Sequence, residues 1–334
     1  MANIKSVTLG RYLYTLIPLF VFTIITAVLA LSFGSTEISF SEIISILANN
    51  GPSYINTQII IELRLPRILL AIAVGGGLSV AGAVFQAILM NPLAEPYILG
   101  VSSGGTFGAV LSMVLGLSFL GQQALAFAGA LTVIILVYTL GRRYGIIDPT
   151  MMLLTGVMSG AFFSALLMLM ITFVDSSFRS ALFWLLGNLS LAERSSIYFV
   201  LPIVILISIL LSLLSQKLNV ISLGDESALH LGVNSKKVKN IAYITSSILV
   251  GSIVSVSGII GFVGLLVPHI CRIVLGLDNR IIIPASFFVG AVFLILADAV
   301  ARIIIAPAEI PVGVVTAVIG APLFVYLLRS KFKR

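Results

Sequence analysis

Between residues 13 and 328 this sequence is a succession of long apolar runs with short polar breaks, and that pattern decides what the chain can fold into. The runs cover residues 13–33, 65–90, 97–117, 120–140, 151–173, 196–214, 241–256, 261–275, 282–301 and 311–328. A helix needs about 20 apolar residues to cross the hydrocarbon of a bilayer, and most runs reach that length. Composition agrees: 59% of residues are hydrophobic and only 9% charged, with mean hydropathy +1.20. A water-soluble domain carries about a quarter charged residues. The spacing therefore predicts an all-α, polytopic membrane protein of about ten transmembrane helices in a single domain over residues 1–334.

The basic residues orient the chain. With the N-terminus inside, Lys5, Arg11, Arg142, Arg143, Lys217, Lys236, Lys237, Lys239, Arg272, Arg280, Arg329, Lys331, Lys333 and Arg334 all fall inside. Outside lie Arg64, Arg67, Arg179, Arg194 and Arg302. That asymmetry satisfies the positive-inside rule and puts both termini in the cytosol. It also accounts for the net charge of +7 without a nucleic-acid partner. The runs 241–256 and 261–275 are short. Fusing them would place the basic tail outside, so the charge rule favours two helices, one of them short or partly re-entrant. Gly258, Gly261, Gly264 and Pro268 suit such irregular backbone, which survives at membrane depth only where protein or water shields it.

The first run exceeds the 7–15 residues of a signal-peptide core and reads as an uncleaved span. The polar outer segment 35–63, with Glu37, Ser39, Ser41 and Glu42, predicts a short helix lying on the outer surface. In a second outer piece, 177–190, Trp184 reads as an interfacial anchor. Cys271 is the single cysteine, which excludes an internal disulfide and reads as a small buried residue.

Several polar features stand against this apolar ground. Residues 216–240 form a hydrophilic island containing Lys217, Asp225, Glu226, His230, Lys236, Lys237 and Lys239. An ordinary solvated loop is the bland alternative, but an island this long in such a chain suits a cytosolic handle for another protein. Gly100, Gly104, Gly108, Ser112 and Gly116 recur every four residues, a smooth stripe for helix packing. Gly75, Ser79, Gly82 and Gln86 repeat the idea, and Gln86 faces either a partner helix or a water-filled path. Gly100-Val-Ser102-Ser-Gly104 matches the nucleophile-elbow pattern, with His269 as an imaginable base, but it lacks the preceding strand. Asp298, inside a span, is a functional candidate unless Arg302, one turn on, neutralises it. His230 and His269 are in unrelated segments, so no metal centre is expected. No phosphate-binding loop occurs, so the chain is not itself an ATPase, and neither cofactor nor enzymatic chemistry is expected.

Taken together, Arg64-Leu-Pro-Arg67, Gly82-Ala-Val-Phe-Gln86, Asn91-Pro-Leu-Ala-Glu-Pro-Tyr-Ile-Leu-Gly100, Gly261-Phe-Val-Gly-Leu-Leu-Val-Pro-His269, Asp298-Ala-Val-Ala-Arg302 and Glu309-Ile-Pro-Val-Gly-Val-Val-Thr316 resemble the FecCD family. Its members are permease subunits of ATP-driven importers for iron–siderophore complexes, haem and cobalamin. The resemblance implies a bacterial or archaeal cell (inner) membrane and a homodimer or close-paralogue dimer of ten-helix permeases. It also implies two ATP-binding cassette ATPase subunits on the cytosolic side and an external substrate-binding protein. By position it implies that Arg64, Arg67 and Arg302 face outward toward acidic residues of the binding protein. Asn91, Leu93 and, by a looser local match, Thr150 would form the inner gate. Leu223, Gly224, Asp225, Glu226, Ala228, Leu231 and Gly232 would form the coupling helices that meet the ATPase; Gln86, on its polar character alone, stays a candidate to border the pathway. The competing reading is a secondary transporter driven by an ion gradient, for which the chain offers only Asp298 and His269 as relay groups.

Overall fold

The computed structural model describes all residues except 1–7, 35, 37, 49–50, 52, 144–145, 173–177, 191–193 and 332–334. Lys5, Lys333 and Arg334 of the charge reading and Glu37 of the expected outer helix lie outside the described residues, as do the side chains of Arg143, Arg179, Arg194 and Lys331. The chain is a helical bundle. Helix α1 (Leu9–Ser32) is followed by two short helices, α2 (Phe40–Leu47) and α3 (Tyr54–Gln58), then by α4 (Leu65–Ile88). Next come α5 (Val101–Val114), α6 (Phe119–Leu140), α7 (Pro149–Ile171), α8 (Phe178–Leu185) and α9 (Arg194–Leu213). The remainder is α10 (Ser215–Ile221), α11 (Asp225–His230), α12 (Ser235–Ser257), α13 (Val263–Leu275), α14 (Asn279–Ile303) and α15 (Val312–Lys331). A two-residue hairpin, Arg142–Arg143 against Ile146–Ile147, is the only strand pairing among the described residues.

Each apolar run holds one helix, and the segment ends match within a few residues. Seven helices among the described residues are long and apolar enough to cross a membrane; α5, α13 and α15 give shorter apolar stretches. The face from which α1 starts is called the near face below. It also carries the end of α4, the end of α13, the start of α14 and the α10–α12 junction. Arg11 donates to the Leu275 carbonyl at 3.1 Å, and Asn219 donates to Asp278 at 2.7 Å, tying these ends together.

The spine is α4, buried almost throughout and packed on α9, α12, α13 and α14. Lipid tails are as apolar as leucine, so helices in a membrane associate through close packing rather than expulsion of water. Small residues make that packing possible. A Cβ on Gly82 would drive into the Gly264 backbone of α13, and one on Gly75 would strike Gly290 of α14. Of the predicted glycine stripe, Gly104 and Gly108 meet the α6 backbone. Its outer members instead bracket the helix: Gly100 at φ 73° begins α5 and Gly116 at φ 64° follows it.

One expectation changes and another holds. Trp184 is 5% exposed and lies in the core, so it is no interfacial anchor. Short α8 folds inward, and the Trp184 carbonyl sits where a Cβ on Gly258 would fall. The elbow pattern at Gly100–Gly104 follows a 3-10 turn (Pro96–Leu99), not a strand, so the strand–turn–helix that exposes a nucleophile is missing. The short outer helix, by contrast, forms as α2, with Ser39 capping the Glu42 amide at 3.3 Å.

Candidate functional site

Three polar constructions interrupt the apolar bundle. The first is the handle around α11 on the near face. Gly224 (φ 105°) lets the chain turn into α11, and Asp225 and Glu226 occupy the first turn, where the helix dipole favours negative charge. Gly232 (φ 76°) ends it in a Schellman arrangement: the Val233 amide donates to Ala228 at 2.8 Å and the Gly232 amide to Leu229 at 3.0 Å. Ala228 points into the body. Leu223, Leu229 and Leu231 point away from it and are 60–70% exposed. The handle is not loose: Lys239 of α12, 1% exposed, reaches Asp225 at 2.8 Å. Asp225 therefore braces the handle from within, while Glu226 stays exposed. The tip thus presents three exposed leucines beside charged side chains.

Behind the handle, Asp278 caps α14. Burial pushes its carboxyl upward, but hydrogen bonds from Arg280 and Asn219 outweigh that and hold it below the usual carboxylate range.

The second construction is a broken helix pair. Helix α12 stops at Ser257, Gly258 (φ 66°) and Phe262 (φ 68°) redirect the chain, and α13 starts afresh. Gly264, in its first turn, is level with Leu78 and Gly82, halfway along α4. Helix α13 thus begins deep in the bundle, the short, interrupted element that the sequence predicts. Its N-terminal amides need acceptors. They come from the segment after α4: Glu95 Oε1 accepts from the Phe262 amide at 2.8 Å, and the Tyr97 hydroxyl accepts from the Ile260 amide at 3.1 Å. That segment therefore climbs back to the depth of the break.

The expected gate residues sit at the base of the same climb. Asn91 is half-buried, and its Oδ1 accepts from the Leu93 amide at 2.9 Å in a tight turn; Leu93 itself is exposed. Thr150 is exposed in the first turn of α7, and no hydrogen bond joins it to Asn91 or Leu93 among the described residues. Helix α7 instead meets the chain further on, where Gly156 packs on Ile98 and Leu99. Gln86 is 4% exposed and faces α13: it donates to the Leu265 carbonyl at 3.3 Å and accepts from Arg272. Of its two readings, the partner helix holds the side chain, though Gln86 also edges a cavity on the near face.

The third construction lies at the far face. Arg67 bonds Asp298 at 2.7 Å and Glu309 at 2.6 Å, and Arg302 bonds Asp298 at 3.1 Å. Arg302 also donates to the carbonyls of Phe33 and Ala30, and Arg64 to those of Leu31 and Thr36. The cations thereby satisfy carbonyls at the end of α1, where the helix dipole favours positive charge. Arg64, Arg67 and Arg302, which the resemblance turns toward an external binding protein, all lie in this far-face construction. All three are 4–7% exposed and already paired within the chain, because a buried guanidinium must find its acceptors locally. The Asp298–Arg302 pairing does occur, so Asp298 is a neutralised structural carboxylate. Sequence reasoning missed Glu309 as a network member and Glu95 as an acceptor at the helix break. An acid lodged between two apolar runs beside prolines, with no base nearby, was the available signal for Glu95.

The chain resembles known proteins over nearly its whole length. The FecCD transport family model matches residues 22–330. An uncharacterized ABC transporter permease protein, YvrB of Bacillus subtilis, is 39% identical over 324 residues, covering 92% of this chain and 91% of that protein. The cobalamin import system permease protein BtuC of Halobacterium salinarum is 39% identical over 276 residues, covering 82% of this chain and 74% of that protein. Among solved structures, one described as an inward-facing metal-chelate type ABC transporter superposes with a TM-score of 0.86 at 34% identity. It covers 96% of this chain and 100% of that one. A match of this extent leaves one conclusion: the chain belongs to the FecCD transport family.

Proposed function

We propose that the chain is the membrane permease of an ATP-driven importer for a metal chelate, with the near face in the cytosol. The observation that carries this reading is the α11 handle, a capped helix braced by Lys239 that offers Leu223, Leu229 and Leu231 to a partner. No phosphate-binding loop exists in the sequence, so the energy comes from a separate ATPase gripping that tip. Closure of two ATPase subunits pushes the handle, and the bundle passes the push to the Asn91–Leu93 turn and the α12–α13 break. Direction follows because substrate binds the outward and inward states differently. The pairing of Asp298 with Arg67 and Arg302 supports this reading over a gradient-driven one, because it ties up the acidic residue that the sequence offered as a relay within a span.

Membership of the family supports an external substrate-binding protein as the delivering partner. The exposed faces of α7 and α15, with Val157, Met158, Phe162, Val318 and Val325, suit a second permease subunit. Among substrates we favour an iron–siderophore complex; haem, cobalamin and oxyanions are the competitors. The reading is tested by co-purification. Leu229→Glu should reduce recovery of the cognate ATPase about tenfold or more, as expected when a buried apolar anchor becomes a charge. Binding of the external protein should be unchanged. Undiminished ATPase recovery would sink the assignment of α11. Uptake of labelled ferric siderophore, haemin and cobalamin in cells lacking other importers decides the substrate.

A further inference from the structure

Helix α1 packs on α14 but has little direct contact with α13. The gap between them is a cavity of about 410 Å³, walled by Tyr14, Pro18 and Leu19 of α1, Cys271 and Val274 of α13, and Val289 of α14. It carries no charged lining residue, and the hydroxyl of Thr15 in its wall is spent on the Arg11 carbonyl at 2.8 Å. Ile17 and Ile273, on the two flanking helices, are about half exposed, so the gap opens on the outer surface of the bundle. Both α1 and α14 are long and apolar enough to cross a membrane, so that surface meets lipid. Arg11 stands at the near-face end of the gap. It shares one face of α1 with Thr15 and Pro18, at helical spacing. Its guanidinium donates to the carbonyl of Leu275, a lining residue, at 3.1 Å. That bond uses one of five N–H donors. The side chain is exposed and forms no ion pair among the described residues.

The dimensions suit one occupant. From Arg11 to Leu19 α1 rises about 12 Å, at about 1.5 Å per residue. One leaflet supplies about 15 Å of hydrocarbon, half the bilayer core. The groove thus runs through most of one leaflet, with a free cation at its interfacial end and apolar walls below. A soluble anion answers only the cation, and another helix answers only the walls. We propose that the groove holds an acyl chain of an anionic phospholipid whose phosphate pairs with Arg11. A zwitterionic lipid brings its own ammonium beside the phosphate and gains less from the cation. Tyr14, 85% exposed, adds an amphipathic ring of the kind that sits at headgroup level. The tail then fills the space that α1 and α13 leave open and holds the interrupted helix against its neighbour. This inference needs the chain to span a membrane and does not use the import reading.

The full chain, stripped of lipid in detergent, is measured by native mass spectrometry with equimolar phosphatidylglycerol and phosphatidylcholine of identical chains. Phosphatidylglycerol should be retained about fivefold over phosphatidylcholine, the preference that one cation near the headgroup gives. Arg11→Gln keeps an N–H donor for the Leu275 carbonyl but loses the charge, so the ratio should fall close to one. Arg11→Lys keeps the charge and should keep the preference. Val274→Trp, at a position 72% exposed, fills the groove and should abolish retention of both lipids. Glycerol 3-phosphate, a headgroup without tails, should not displace the bound lipid; displacement would reveal a free-phosphate site and overturn the proposal. Equal retention of the two lipids by the wild type, an undiminished preference in Arg11→Gln, or full retention in Val274→Trp overturns it. So does a wild-type dimer that carries no lipid and that Val274→Trp turns into monomer, because a second copy then fills the groove. Circular dichroism and gel filtration check that each variant is folded; where one is not, the lipid ratio on the wild type and on Arg11→Lys decides.

Discussion

At the residue scale, the decisive physics is the treatment of charge where water is scarce. Asp298 holds two buried arginines, and one of them, Arg302, also donates to carbonyls at the end of α1. Removing one partner of a buried pair strands the others. Asp298→Ala should therefore cost about 3–5 kcal/mol, read as a large drop in the melting temperature of the purified protein. An unchanged melting curve would show that Arg67 and Arg302 need no counter-charge. Glu95 makes a smaller point. Glu95→Ala exposes the Phe262 amide inside the bundle, at a cost of about 1–3 kcal/mol. Hydrogen exchange at residues 259–264 should quicken, and slow exchange there would remove Glu95 as the partner of the break.

At the scale of elements, small residues set how closely helices approach, and the sequence displays them openly. Gly82→Val should prevent α4 and α13 from meeting and abolish recovery of folded protein. Gly116→Ala, at positive φ but with open space around it, should lose only about 1–2 kcal/mol. Equal behaviour of the two variants in a detergent-solubility assay would contradict this contrast. The ten apolar runs, the short partner after residue 257 and the glycine seam of α5 were legible because period, length and composition are local properties. The fate of Trp184 and of the three arginines was not. Their exposure depends on which segments fold over them, such as α8 and the end of α1, and no local pattern encodes that. For the same reason the handle was legible as a polar island, but its brace from Asp225 to Lys239 spans 14 positions and appears only in three dimensions. Leu229, the most exposed leucine of the tip, passed unnoticed because an apolar residue attracts no attention in an apolar chain.

At the scale of the whole molecule, the constructions line up along one axis. A charge cluster locks the far face, an interrupted helix sits halfway down, and a braced apolar tip projects from the near face. Helices α4, α13 and α14 pack on one another between these stations, so the proposed push from the handle has a packed path through the bundle. The account stands on which side of the membrane the tip occupies. The most direct measurement is labelling of a single cysteine at exposed Ser227 of α11, in a Cys271→Ser background, with a membrane-impermeant maleimide. Ser227→Cys should react in permeabilised cells and stay unlabelled in sealed ones. Labelling in sealed cells would put α11 outside, beyond the reach of any ATPase, and contradict the account.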